Sequence, residues 1–333
     1  MPDPLPLLSV VSPAFNEAEG LPHFHTALAA VLDQMAGAYR TEIIYVDDGS
    51  RDGTLAVLRR LAVEDGRVRY LSLSRNFGNQ AALTAGLEHA AGDAVITMDS
   101  DLQHPPSLIP TLVEKWRLGA DVVLTVRAGG TDRTQNWLKR NASTMFHDLL
   151  RRWSSLDVRP GASDYRLLSR RAIDNLLRLG EAHRYVRGLV QWLGFPEAEV
   201  PFDTAPRFAG VSRYTFSRLM RLAFDGLLSF SRVPLQVTIA GGLTAVGMSF
   251  VVCSGLVLVY RPDALTIAGL LAVHIVGASV LASVGVLGAY VVRIFEESKG
   301  RPLYVVKESW PATMAISGRQ LAPHIGRRDA NAA

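Results

Sequence analysis

Asp99-Ser100-Asp101 sets two carboxylates two residues apart, directly after the apolar run Ala94-Val95-Ile96-Thr97-Met98. Leu102-Gln103-His104-Pro105-Pro106 follows, so an amide and then a proline stop complete the segment. The apolar run reads as a buried parallel strand, and the alternation of a strand puts Asp99 and Asp101 on one side. In open α/β sheets ligands bind beyond the carboxyl ends of the strands. Carboxylates placed there suit a hard divalent cation that shares its coordination shell with substrate phosphates. A lone Asp-x-Asp triplet is more often a solvated turn, so its meaning depends on the segments around it.

Those segments repeat one pattern. Leu7 to Ser12, Glu42 to Val46, Arg69 to Leu73 and Asp121 to Val126 read as further strands, and 19–35, 54–64 and 79–91 read as helices between them. Strands alternating with helices of ten or more residues predict a mostly parallel sheet covered on both faces. Three more polar segments then fall at the same sheet edge as Asp99: Pro13-Ala14-Phe15-Asn16-Glu17, Asp47-Asp48-Gly49-Ser50-Arg51-Asp52-Gly53-Thr54 and Ser74-Arg75-Asn76-Phe77-Gly78-Asn79. Any one of them could be a turn or a helix cap. Their joint order is the informative feature.

The rest of the chain has a different composition. Hydrophobic residues are 48% of 333, and the mean hydropathy of +0.16 is high for a wholly soluble protein. The excess lies in 233–259 and 264–292, which contain no Asp, Glu, Lys or Arg. Each exceeds the ~20 residues that a helix needs to cross a bilayer core. Only Tyr260 to Asp263 joins them, so two transmembrane helices in a hairpin are expected. Arg218, Arg221, Arg232, Arg293, Lys299 and Arg301 flank that hairpin on its open side. The positive-inside rule therefore puts both the N-terminal region and the C-terminal tail in the cytoplasm.

Phe216, Leu219, Met220, Ala223, Phe224, Leu227 and Leu228 recur at helical spacing, which predicts a basic amphipathic helix lying in the membrane interface. The expected map is a catalytic domain over 1–212, the interface helix over 213–232, the two spans, and a tail over 293–333. The net charge of +4 clusters beside the spans, which favours anionic lipid headgroups over nucleic acid as its partner. The single cysteine, Cys253, can form neither an intrachain disulfide nor a metal cluster. The first residues carry no basic n-region of a signal peptide.

The four polar segments together resemble family 2 glycosyltransferases of the GT-A type. Three later segments, Ser163 to Arg171, His183 to Phe195 and Arg207 to Tyr214, resemble the polyprenyl-phosphate branch of that family. Arg213 departs from the lysine usual in relatives, which keeps the cation and changes the hydrogen-bond geometry. The resemblance implies a GT-A fold and inverting, metal-dependent transfer from a nucleotide-diphospho-sugar to undecaprenyl phosphate at the cytoplasmic face. UDP-glucose is the first donor expected, with GDP-mannose and UDP-amino-arabinose derivatives as alternatives.

The resemblance also assigns residues. Pro13, Phe15, Glu17, Asp47, Asp48, Arg75, Asp99 and Ser100 would bind the donor. Asp99, Asp101 and Gln103 would hold Mg²⁺ or Mn²⁺. Asp101, Asp164, Arg127 and Arg140 would act in catalysis, and Arg207, Ser212 and Arg213 would take the acceptor phosphate. Asp164 is the family's candidate base, but a phosphate monoester with a second pKa near ~6 is already largely anionic at neutral pH, so an orienting role is expected. Glycine-rich faces on the spans would allow homo-oligomers. The alternative of a different class, a non-catalytic nucleotide-sugar sensor or scaffold in the membrane, is opposed by the intact Asp99, Asp101 and Gln103.

Overall fold

The structure, a computed structural model, describes residues 4–127, 162–181, 184–202, 233–259 and 262–311. Arg140, Arg207, Ser212, Arg213 and the expected interface helix lie outside the described residues. Arg127 closes a strand, but its side chain is outside them too.

The strands are β1 (Leu7–Ala14), β2 (Arg40–Asp47), β3 (Val68–Leu73), β4 (Ala94–Thr97), β5 (Val122–Arg127), β6 (Ala162–Ser169), β7 (Glu197–Phe202) and β8 (Val306–Trp310). They form one sheet in the order β7-β5-β6-β4-β1-β2-β3-β8. β3, β2, β1 and β4 run parallel, while β6 lies antiparallel between β4 and β5. The chain moves outward from β1 to β3 and then returns to lay β4 on the other side of β1. That reversal opens a crevice at the strand ends, where ligands bind in such sheets.

Helices α1 (Leu21–Met35), α2 (Thr54–Glu64) and α4 (Ile109–Arg117) cover one face. Leu21, Phe24, Leu28, Leu32 and Met35 of α1 are buried at spacings of three and four, as a helix needs to bury one stripe. Pro22 stands in its first turn, where the missing N–H costs nothing. On the opposite face α3 (Asn79–His89) packs against β1 and β2. A Cβ at Gly86 would come within 2.2 Å of Val11 Cγ1, so glycine sets how closely that helix approaches the sheet. Two short helices, α5 (Arg170–Arg178) and α6 (Val186–Trp192), follow β6.

A second compact unit contains α7 (Val233–Val259) and α8 (Pro262–Ser298), which pack on one another. Within α8, Leu271–Ser298 is 28 residues long and contains an 18-residue window of mean hydropathy 2.1, long and apolar enough to cross a membrane. The apolar stretch among the described residues of α7, Val237–Val251, is shorter.

The segment expected as a tail over 293–333 contains two described elements. α8 runs on to Ser298, and Val306–Trp310 returns to the catalytic sheet as its edge strand, antiparallel to β3. Arg59 Nε and Nη2 donate to Glu308 at 2.8 and 2.5 Å, and the Tyr70 hydroxyl donates to the same carboxylate at 2.7 Å. The Tyr304 hydroxyl reaches Glu88 of α3 at 2.5 Å. Pairing with β3 covers an edge that would otherwise expose a row of unpaired backbone groups.

Candidate active site

One side of the site is built by loops that hold each other. Asn16 has φ +56°, a left-handed conformation that Asn tolerates better than most residues. Its Oδ1 accepts from Arg51 N at 2.9 Å, and its own N–H donates to Ser50 Oγ at 2.9 Å. Glu17 N donates to Thr54 Oγ1 at 2.9 Å. Asp47 is 1% exposed and accepts from Ser50 N at 2.9 Å and Ser72 Oγ at 2.8 Å. Asp48, 3% exposed, accepts from Phe77 N at 2.7 Å and Gly78 N at 2.9 Å. Burial pushes the Asp48 carboxyl up, and those two amides only partly offset it. Both carboxylates thus spend one acceptor position of each oxygen on bracing the loops after β2 and β3.

Gly49 lies where these loops meet. It has φ +66°, and a Cβ there would fall 2.3 Å from Arg75 C and 2.6 Å from Asn76 N. Between the loops lies an open cleft of about 460 Å³ lined by Phe15, Asn16, Gly49, Arg51, Ser74, Arg75 and Asn76. The Arg75 guanidinium stacks over Phe77, 4.1 Å from the ring centroid. Of the donor residues expected from the sequence, Phe15 and Arg75 line this cleft. Asp47 and Asp48 brace it from behind, and Glu17 is not among its lining. Asn16, Arg51 and Ser74 are lining residues that the sequence reading did not assign a role, although each belongs to a segment that it quoted.

At the end of β4, Ser100 Oγ donates to the Pro13 carbonyl at 3.1 Å, tying the first and fourth segments together. Gln103 N donates to Asp101 Oδ1 at 3.1 Å. Leu102 between them has φ +60°, an uncommon conformation for a side chain of its size. Asp99, Asp101 and Gln103 remain half-exposed. Among the described residues there is no group of three or more His, Cys, Asp or Glu that would enclose a metal. Two carboxylates and an amide, all half-exposed oxygen donors, fit a hard cation completed by phosphate oxygens rather than an all-protein cage.

The remaining side belongs to β6. Its pairing with β4 sets Arg166 opposite Thr97, and Thr97 Oγ1 donates to the Asp164 carbonyl at 2.6 Å. Asp164 is therefore fixed beside the strand that leads into Asp99. Its Oδ1 accepts from Arg187 Nε at 2.7 Å and Arg166 Nη2 at 2.8 Å, and its Oδ2 from Arg187 Nη2 at 2.6 Å. Burial works against the charged form, but the Arg187 fork and the Arg166 charge outweigh it and hold the carboxyl at about 2.

Arg187 is placed by the first turn of α6, whose Val186 N donates to Gln80 Oε1 at 2.9 Å. Next to this cluster His104 Nε2 and Ser163 Oγ are 2.7 Å apart, and the ring packs on Tyr165 and Phe202. Arg166, Arg187 and His104 are site residues that the sequence reading did not assign. All three stand inside segments it quoted, where nothing local marks which side chain will meet which.

The sequence pattern of the family Glycosyl transferase family 2 matches residues 9–177. A glycosyltransferase of Synechocystis sp., described as uncharacterised, is 37% identical over 308 residues, covering 91% of this chain and 95% of its own length. The bactoprenol glucosyl transferase of Shigella phage SfV is 38% identical over 304 residues, covering 90% and 98%. Among solved structures, a Pyrobaculum calidifontis mannosyltransferase in complex with GDP-Man and Mn²⁺ is 16% identical with a TM-score of 0.44, covering 86% of this chain and 77% of that one. With the family pattern spanning half of the chain and relatives of this identity spanning nearly all of it, this GT-A-like protein belongs to glycosyltransferase family 2 and is a glycosyltransferase.

Proposed function

We propose that the protein transfers a sugar, glucose from UDP-glucose in the first instance, to a polyprenyl phosphate at the cytoplasmic face of a membrane in which α7 and α8 are embedded. The observation that carries this reading is full-length likeness. Relatives whose names specify glucosyl transfer to bactoprenol are 37–38% identical and align over 98% of their own length. That span takes in the apolar helices as well as the catalytic sheet. The 28-residue apolar stretch of α8 supports a membrane-bound acceptor.

The site's chemistry agrees with a direct displacement. Phe15 and Arg75 in the donor cleft would receive base and ribose, while Asp99, Asp101 and Gln103 would hold Mg²⁺ or Mn²⁺ on the diphosphate. When bound, such a cation neutralises charge building on the leaving diphosphate. The acceptor monophosphate, largely ionised at neutral pH, attacks the anomeric carbon without first losing a proton to the protein. A useful general base has a pKa near the operating pH. With its carboxyl at about 2, Asp164 is a poor proton acceptor and a good permanent charge that orients the cations around it.

The test offers radiolabelled nucleotide sugars, undecaprenyl phosphate and Mg²⁺ or Mn²⁺ to the detergent-purified full-length protein, with Asp101→Asn as control. Metal-dependent label in the lipid phase from UDP-glucose, absent in the control, is the expected result. Label from another donor alone would replace the sugar. No lipid product from any donor would defeat the reading.

A further inference from the structure

In the cluster on β6 one buried carboxylate meets two guanidiniums of very different exposure. Asp164, with a side chain 9% exposed, faces both Arg166, 1% exposed, and Arg187, 39% exposed. The buried Arg166 spends Nη2 inside the protein, on Asp164 Oδ1 and on the Ser163 carbonyl at 3.1 Å. Arg187 gives Asp164 only its Nε–Nη2 edge. Among the described residues its Nη1, with two N–H donors, has no hydrogen-bond partner. Asp164 thus answers two guanidiniums, and the Asp99 carboxylate also acts on Arg187, whose side chain is partly exposed. The carbonyl of Asp164 is bonded to Thr97, two residues before Asp99, and Asp99 acts on Arg187 electrostatically, so Arg187 stands near the carboxylates that would hold the cation.

We propose that Arg187 is a phosphate ligand, with one edge fixed by Asp164 and Nη1 taking a phosphate oxygen of the substrates. The assignment rests on the reading of the site as a sugar transferase acting on a lipid phosphate. A planar guanidinium held by a carboxylate on one edge is pre-oriented for a second anion on the other, and phosphate suits it geometrically. Two phosphates visit such a site: the acceptor monophosphate and the donor diphosphate. Pre-orientation by Asp164 also explains a carboxylate kept ionised in a site that must bind anions, since it sets the direction of a cation that would otherwise be mobile.

The experiment uses the full-length protein and the variants Arg187→Gln and Arg187→Lys, each alone and in an Asp164→Asn background. Two quantities are read: KM for undecaprenyl phosphate at saturating donor, and Kd for UDP and GDP with Mn²⁺ by calorimetry. Losing one charge-assisted hydrogen bond to phosphate predicts a rise of ~10- to 100-fold in one of them. A rise in acceptor KM assigns Nη1 to the lipid phosphate, and a rise in nucleotide Kd assigns it to the diphosphate.

The background separates ligand from support. If Arg187 serves only to hold Asp164, then Arg187→Gln changes neither constant once Asp164→Asn is present, and the proposal is overturned. Arg187→Lys keeps a cation against Asp164, which provides a folded variant if Arg187→Gln does not fold; a rise smaller than that of Arg187→Gln is expected. A wild-type protein that makes no lipid product would defeat the functional reading. The calorimetric arm would still decide Arg187, and unchanged nucleotide Kd in that case would overturn the proposal.

Discussion

Asp48 at the end of the β2 region and Asp164 in β6 are both nearly sealed from solvent, yet they are held by opposite means. Asp48 is met by two neutral backbone amides, from Phe77 and Gly78, and burial leaves its carboxyl raised. Asp164 is met by two guanidiniums and is pulled down to about 2. Amide partners belong to the loop itself, so Asp48 is a brace whose product is loop shape. Guanidinium partners bring charge with them, and one of the two, Arg187, is left partly open. The difference separates a carboxylate that builds the cleft from one that organises the field in it, although both follow or lie within strands at one sheet edge.

Substitutions can break or sharpen that contrast. The largest effect is expected for Asp164→Asn, which leaves Arg166 buried without its carboxylate; breaking a buried pair of this kind costs about 3–5 kcal/mol, read as a fall in unfolding temperature. In the same variant the pH profile of transfer between 6 and 8 should keep its shape, because Asp164 is ionised throughout that range. A lost basic limb or acidic limb would restore Asp164 as a proton acceptor.

Next is Gly49→Ala. It puts a side chain at φ +66° against the Arg75 backbone, and about 2–3 kcal/mol is expected from such strain. Weaker nucleotide binding should accompany it, since the cleft wall must move. Asp48→Asn should cost less, about 1–2 kcal/mol, because one of its two amide donors loses its acceptor and no charge is stranded.

Acid provides a subtler check, since the two carboxyls are displaced in opposite directions. Asp164 lies below the ordinary 3.8, so its contribution is complete above that value and is lost as pH falls toward about 2. Asp48 lies above 3.8, so protonation on acidification favours the fold. Unfolding temperatures measured from pH 5 to 2 should therefore fall less steeply in Asp164→Asn than in wild type, and more steeply in Asp48→Asn. The smallest shift is expected from Glu308→Gln on β8. Its partner Arg59 is well exposed, and solvent screens such pairs.

Much of the donor half was legible in the chain. Apolar runs such as Leu7 to Ser12 and Ala94 to Met98, separated by helical segments, specify a parallel sheet because strands buried on both faces tolerate little else. Strand ends then bring Phe15, Asp48, Arg75 and Asp99 to one edge whatever the loop details. The two charge-free runs announce long apolar helices by composition alone.

What the sequence could not supply is which side chains meet once the edges close. Asp47 and Asp48 read as groups facing a ligand, and nothing in line showed that each of their oxygens also accepts one bond, from Ser50, Ser72, Phe77 or Gly78. Arg187 finds Asp164 across 23 positions, and Glu308 finds Arg59 across 249. Local periodicity describes how a segment folds on itself, and it is silent about a partner that arrives from another element. Element type and strand order followed from the residues in line. The pairing of Asp164 with Arg187, the brace behind the cleft and the return of 306–310 to the sheet were decided only by packing in three dimensions.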